Sequence, residues 1–147
     1  MAATTTNNYS QTSAGSMVFS TKPLASGAIC PMGTMVSLLN GNAIPSADTA
    51  NSIFWGIANG DGAGNDNANQ TTGSVNVQIM SPYTNPARNL FGFNMANPTA
   101  ANVGAKVYVL DNQTVGLSST NSILVGRIES VITSGPNGTV LVAVEMA

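Results

Sequence analysis

Hydrophobic positions in this chain recur with a period of two over short runs, and turn residues separate the runs. The clearest run is Val75, Val77 and Ile79 alternating with Asn76 and Gln78, the signature of a strand buried on one face. Residues 16–20, 35–39 (reached from Ala28-Ile29 through Pro31-Met-Gly33), 53–58, 107–110, 123–132 and 140–146 are further apolar runs of strand length. Asn40-Gly41 closes one run with a pair suited to a type I′ turn, whose two central residues take positive φ. Asn59-Gly60 ends another, and Gly135-Pro-Asn-Gly138 leads into the last. Helix signals are sparse: residues 46–51 and 97–103 each suit a single turn. Strands at about 8–12-residue spacing with turns between them predict an all-β fold, a small barrel or sandwich.

The same pattern occurs twice. Thr34-Met-Val-Ser-Leu-Leu-Asn40, Asn51-Ser-Ile-Phe-Trp-Gly56 and Gly73-Ser-Val-Asn-Val-Gln-Ile-Met80 form the first copy. Ala105-Lys-Val-Tyr-Val-Leu-Asp111, Asn121-Ser-Ile-Leu-Val-Gly126 and Gly138-Thr-Val-Leu-Val-Ala-Val144 form the second. A fixed order without a constant period predicts a duplicated β unit, not a solenoid. Aligning Val75, Val77 and Ile79 with Val140, Val142 and Val144 puts the core-facing positions in register. The opposite faces then carry Asn76 and Gln78 in one copy but Leu141 and Ala143 in the other. The second copy is therefore expected to be covered on both faces, by the connector or by a neighbouring subunit.

Between the copies, the connector 81–103 holds Pro82, Pro86 and Pro98, so no long helix fits. Its Tyr83, Leu90, Phe91, Phe93 and Met95 predict a loop that either folds back as a lid on the core or offers an apolar contact patch. Residues 1–16 lack periodicity and apolar content, as expected of an arm without structure of its own. Fully extended, such an arm reaches roughly 50 Å. The organisation expected is thus an arm, 1–16, and one β domain, 17–147, with pseudo-repeats 34–80 and 105–146.

Composition narrows the functional classes. The 147 residues are 43% hydrophobic but only 7% charged, with Asn, Ser, Thr and Gly in place of the usual charges. Such a surface is solvated, yet a neighbour can approach it without stripping water from ions. The net charge is −2 and the four cations, Lys22, Arg88, Lys106 and Arg127, are scattered. No basic footprint for nucleic acid exists. No stretch approaches the ~18 consecutive apolar residues of a membrane span. The N-terminus has neither a basic start nor an apolar run, so no secretion signal is expected.

Candidate chemistry is thin. With no histidine, the Ser-His-Asp and Cys-His arrangements are excluded. Cys30, the single cysteine, sits in Ala28-Ile-Cys-Pro-Met32 and reads as a small buried thiol. Glu129 and Glu145 fall on strands, where a glycosidase-like pair competes with ordinary ion pairs to Arg127 or Lys106. The loop 61–67, with Asp61 and Asp66, offers oxygen ligands but lacks the spacing and closing Glu of a calcium-binding EF-hand. The expectation is a non-enzyme without catalytic, cofactor or metal residues.

Ala25-Ser-Gly-Ala-Ile-Cys-Pro-Met-Gly-Thr-Met-Val-Ser-Leu-Leu39, Gly104-Ala-Lys-Val-Tyr-Val-Leu-Asp111, Thr114-Val-Gly-Leu-Ser118, Val125-Gly126 and Gly138-Thr-Val-Leu-Val-Ala-Val-Glu145 together resemble the capsid decoration (cement) proteins of tailed bacteriophages. The resemblance covers roughly residues 23–147 and departs from the pattern in the Asn/Gly loop 60–72 and the aromatic connector 83–95. It implies a small β-tulip, barrel-like fold. It also implies a homotrimer, or a dimer, on the outside of the virion's capsid, with the major capsid protein as partner and an arm laid over a neighbour. The contact residues expected are Tyr9, Met17, Val18 and Phe19 of the arm region, Phe91 and Phe93 of the connector, and Leu141. Two other readings stay open: a carbohydrate-binding or adhesion module such as a head fibre, with Trp55 or Tyr83 stacking on sugar, and a small β-rich enzyme.

Overall fold

The structure, a computed structural model, describes residues 3, 11–13, 17–59, 74–80 and 90–145. For 11–13, 17–20 and 74–80 it describes the backbone pairing alone. The described residues form strands and one 3₁₀ turn, as the alternation predicts. The strands are β1 (Gln11–Ser13), β2 (Met17–Pro23), β3 (Met35–Leu39), β4 (Asn42–Pro45), β5 (Ile53–Ala58), β6 (Ser74–Met80), β7 (Leu90–Met95), β8 (Lys106–Val109), β9 (Val115–Gly116), β10 (Leu124–Thr133) and β11 (Gly138–Val144). The turn is Ala100–Asn102, with Asn102 Oδ1 accepting from the Thr99 N–H at 2.7 Å.

Two sheets result, and they are wired identically. The first has the order β2-β6-β5-β3-β4; the second has β1-β7-β11-β10-β8-β9. Replacing β2, β3, β4, β5 and β6 by β7, β8, β9, β10 and β11 converts one order into the other, and only β1 is left over. The residue registers agree as well. Val36 pairs with Gly56 and Ser37 with Phe54, skipping Trp55; Val107 pairs with Gly126 and Tyr108 with Leu124, skipping Val125. Each Asn-Ser-Ile-x-x-Gly therefore carries the same β-bulge, with an extra residue just before its glycine.

The glycine is required by that bulge. A methyl on Gly126 would drive into the carbonyl of Ala143 on the neighbouring strand. Gly56 occupies the matching buried place in β5. Asn40 and Gly41 take φ of 53° and 82°, the type I′ pair that their sequence predicts, and they turn β3 into β4.

Both sheets curl until their edges meet. In the first, Leu24 and Ala43 form a parallel bridge and the Ala25 N–H donates to the Ala43 carbonyl at 2.9 Å. In the second, Asn94 and Thr114 form the parallel bridge and the Asn94 N–H donates to the Gln113 carbonyl at 2.9 Å. The outcome is a barrel-like all-β molecule.

Two apolar clusters fill it. The larger contains Phe91, Phe93, Met95, Val107, Val109, Val115, Val125, Ile128, Val140, Val142 and Val144 from the second sheet. Met35, Phe54 and Ile57 from the first sheet join it. The smaller holds Leu24, Cys30, Val36, Ala43 and Ala58, with Trp55 and Leu38 packed against it. Neighbouring residues of β3 and β5 thus belong to different clusters, and both faces of these strands are covered.

Several expectations are corrected here. The connector is not a loop throughout: its residues Leu90–Met95 form β7, paired along its length with β11. Phe91 and Phe93 are each 2% exposed and belong to the core, because strand alternation turns them inward. Part of the expected arm is docked, since Gln11 and Ser13 pair with Phe91 and Leu90. Residues 46–51 form no helical turn; the Ser52 N–H donates to the Thr49 carbonyl in a tight turn whose Asn51 takes a φ of 66°. On the second copy's outer face Ala143 is buried and Leu141 half-buried, while the side chains of the matching Asn76 and Gln78 lie outside those described.

Candidate functional site

The two Asn-Ser-Ile turns meet at the seam between the copies. Asp48, in the bend before the first turn, grips the second: its Oδ2 accepts from the Thr120 N–H at 2.8 Å and its Oδ1 from the Asn121 N–H at 2.9 Å. The Asn121 side-chain amide donates back to the Asp48 carbonyl at 2.9 Å. Loss of hydration acts to raise the Asp48 carboxyl, but the backbone N–H groups of Asn121 and Thr120 outweigh it and hold the group below its ordinary value.

An open cleft of about 230 Å³ lies along this seam, lined by Ser52, Ile53 and Phe54 from one copy and Asn121, Ser122, Ile123 and Leu124 from the other. Matching positions of the two motifs face one another across it. Its walls are apolar and its rim is neutral. Such a cleft can hold an apolar side chain, and its lining residues include no acid or base that would activate the hydroxyls of Ser52 and Ser122.

A second locus lies on the inward side of the first sheet. The Lys22 ammonium stands 5.1 Å from the centre of the Trp55 ring, a cation–π pair. The Trp55 indole N–H is buried without an acceptor among the described residues, a state that costs about 1–3 kcal/mol. Lys22 makes no ion pair among the described residues. Register makes the pair unusual. Lys22 opposes Val75 as Phe93 opposes Val140, and Trp55 and Val125 are the two bulge residues. The second copy fills the same positions with packed hydrocarbon.

The remaining candidates for chemistry are apart from one another. Cys30 is fully buried, and burial pushes its thiol up to about 12, so it is inert as a nucleophile, as its apolar surroundings predict. Glu145 pairs with Arg127 at 3.5 Å, the ordinary ion pair weighed above against a catalytic one. Arg127 also donates to the Gly104 carbonyl at 3.0 Å. Glu129 is exposed at a register shift of β10. Asp111 accepts from the Gln113 N–H at 2.9 Å in a tight turn. No group of three metal-ligating side chains occurs among the described residues.

Of the predicted contact residues, Met17, Val18 and Phe19 lie on β2, paired with Met80, Ile79 and Gln78. Phe91 and Phe93 are interior and Leu141 is half-buried on β11. Tyr9, Tyr83, Arg88, Asp61 and Asp66 lie outside the described residues. Trp55, within the apolar run 53–58, packs on the smaller cluster, and nothing in the sequence pattern pairs it with Lys22. Nor does the pattern announce the Asp48 clamp. Lys22 alone carries a signal: it is the one cation next to a proline on an otherwise apolar and hydroxyl-bearing strand.

No protein family, curated protein or solved structure matches this chain. No helix of the described residues is long and apolar enough to cross a membrane.

Proposed function

We propose that this chain is a structural virion protein, a capsid decoration protein of a tailed bacteriophage. It binds the outside of the mature capsid and stabilises it by clamping adjacent copies of the major capsid protein. One observation supports the reading above the others: β1 is the single strand outside the duplicated plan, an N-terminal segment added to the edge of a complete five-stranded unit. An extended N-terminal segment that pairs through its backbone is suited to bridging between bodies. The ten residues before it span at most about 35 Å. The stretches that carry the resemblance include β3, β8, β9, part of β10 and β11, so they lie in both halves of the fold.

The mechanism is thermodynamic linkage. A protein that binds only the mature lattice lowers its free energy by about 2.7 kcal/mol per site at a hundredfold excess over Kd. Assembly as a homotrimer adds avidity, since three arms engage as one unit. Contact falls to Tyr9 and to the 17–19 segment, with Leu141 as the half-buried candidate on β11; the buried Phe91 and Phe93 are withdrawn from the contact set. Sugar stacking on Trp55 has less to support it, because Lys22 occupies one ring face and the smaller core cluster packs on the side chain.

The test is to mix purified protein with undecorated heads and count copies per particle. Deleting residues 2–10 leaves β1 in place, so the fold should survive while particle binding falls. Undiminished binding by the truncated chain, or no binding by the full chain, would remove the reading.

A further inference from the structure

We infer that Lys22, held over Trp55 at the inward side of the first sheet, is a docking point for a carboxylate side chain of a partner protein. The inference goes beyond the capsid reading and stands without it. Its first support is the comparison of the two copies. Where the second sheet places Phe93 and Val125, fully packed, the first places an ammonium and an indole. A cation at a core-equivalent position is unfavourable for packing, so it is retained where it has something to bind.

The second support is the balance of donors. Among the described residues the Lys22 ammonium has no ion pair and the indole N–H beside it has no acceptor. Two neighbouring donors on one side of one sheet, Lys22 on β2 and Trp55 on β5, lack what a single carboxylate supplies: two acceptor oxygens and a negative charge. The third support is preorganisation. The ring restrains the lysine, so less rotamer freedom is lost on binding than for an ordinary surface lysine. Of the other described cations, Arg127 is committed to Glu145 and Gly104, and Lys106 is exposed.

An acidic side chain fits better than an acidic sugar. A pyranose ring needs an open aromatic face, and Lys22 occupies one face of this indole. The indole N–H is closed to solvent, so a carboxylate reaches it only as the ring tilts outward. That tilt is measurable, because Trp55 is the chain's one tryptophan.

The experiment titrates the intact protein, at low ionic strength, with a neutral-backbone peptide carrying one Glu, with the same peptide carrying Gln, and with free glucuronate. Tryptophan emission is the readout. The expected result is a saturable emission change with the Glu peptide and none with the Gln peptide. Lys22→Met should weaken binding roughly ten- to a hundredfold, the size of a lost charge-assisted hydrogen bond. Lys22→Arg, which keeps a cation on the ring, should stay within a few-fold, and it serves as the reference if Lys22→Met fails to fold by circular dichroism. Equal responses to Glu and Gln peptides, no saturable response, or full binding by Lys22→Met would overturn the proposal. Tighter binding of glucuronate would overturn the choice of partner and assign the site to acidic sugars. No capsid is involved, so failure here leaves the capsid reading untouched.

Discussion

The two halves of this molecule share strand order, bulge position and closing bridge, yet they are filled and faced differently. Inward, the second half carries Phe93, Met95, Val115 and Ile128; the register-matched residues of the first are Lys22, Leu24, Ala43 and Ala58. Outward, the first half has Met35, Phe54 and Ile57, which join the larger core cluster. At the same places the second half has Lys106, Leu124 and Arg127. Backbone wiring is therefore separable from packing. Main-chain pairing and a few turn glycines fix the plan, and side-chain chemistry then decides which face is glue and which is surface.

The sharpest way to break this contrast is to exchange outward residues. Ile57→Arg puts an unpaired charge into a position 3% exposed, and it should cost about 4 kcal/mol or abolish folding. The mirror change, Arg127→Ile, loses a largely exposed ion pair worth about 0–1 kcal/mol and should leave the melting temperature nearly unchanged. Equal effects of the two in thermal melts would show that the outer faces are equivalent after all.

Next come the inward residues. Phe93→Ala should cost about 3–5 kcal/mol, since the side chain is 2% exposed in a tight cluster. Lys22→Ala at the matching position should cost under about 1 kcal/mol, because it removes a cation–π contact and not a packed ring. Urea unfolding of both variants measures the difference.

Gly126→Ala tests the shared bulge. The added methyl meets the Ala143 backbone, which cannot rotate away, so a loss of about 1–3 kcal/mol is expected. Gly56→Ala should behave alike if the two bulges are as similar as their registers. A neutral Gly126→Ala in denaturant melts would mean that β10 and β11 can part there.

The smallest effect belongs to the seam. The Asp48 carboxyl is held below its ordinary 3.8 by its N–H donors, so it stabilises the fold above that value and loses this contribution as pH falls through its lowered folded value. Asp48→Asn should therefore melt slightly lower than the parent at neutral pH, with the gap closing as the pH falls below 3.8 and through the lowered folded value. A gap that persists at pH 2 would assign the effect to the Asn side chain itself and not to the charge.

How much of this was legible follows from how local each feature is. Strands with period-two patterns, the type I′ turn and the duplicated Asn-Ser-Ile-x-x-Gly were readable because each depends on residues close in sequence. β7 was obscured by the three prolines of its connector, which mark the approach to the strand and the exit from it but not the six residues between. β4 was hidden because Asn42-Ala-Ile-Pro45 has no alternation of its own and is a strand only by virtue of pairing with β3. The Asp48 clamp spans 73 residues to Asn121, and no spacing in the chain announces it.

The sequence by itself determined that this protein is all-β, built twice on one plan, poor in charge and without histidine, since composition and short-range periodicity set those properties before any contact forms. Only the tertiary structure decided that Phe91 and Phe93 are interior, that Met35, Phe54 and Ile57 form the join between the sheets, and that Lys22 stands over Trp55. These depend on which strand lies beside which, and that choice is made by burial summed over the whole chain.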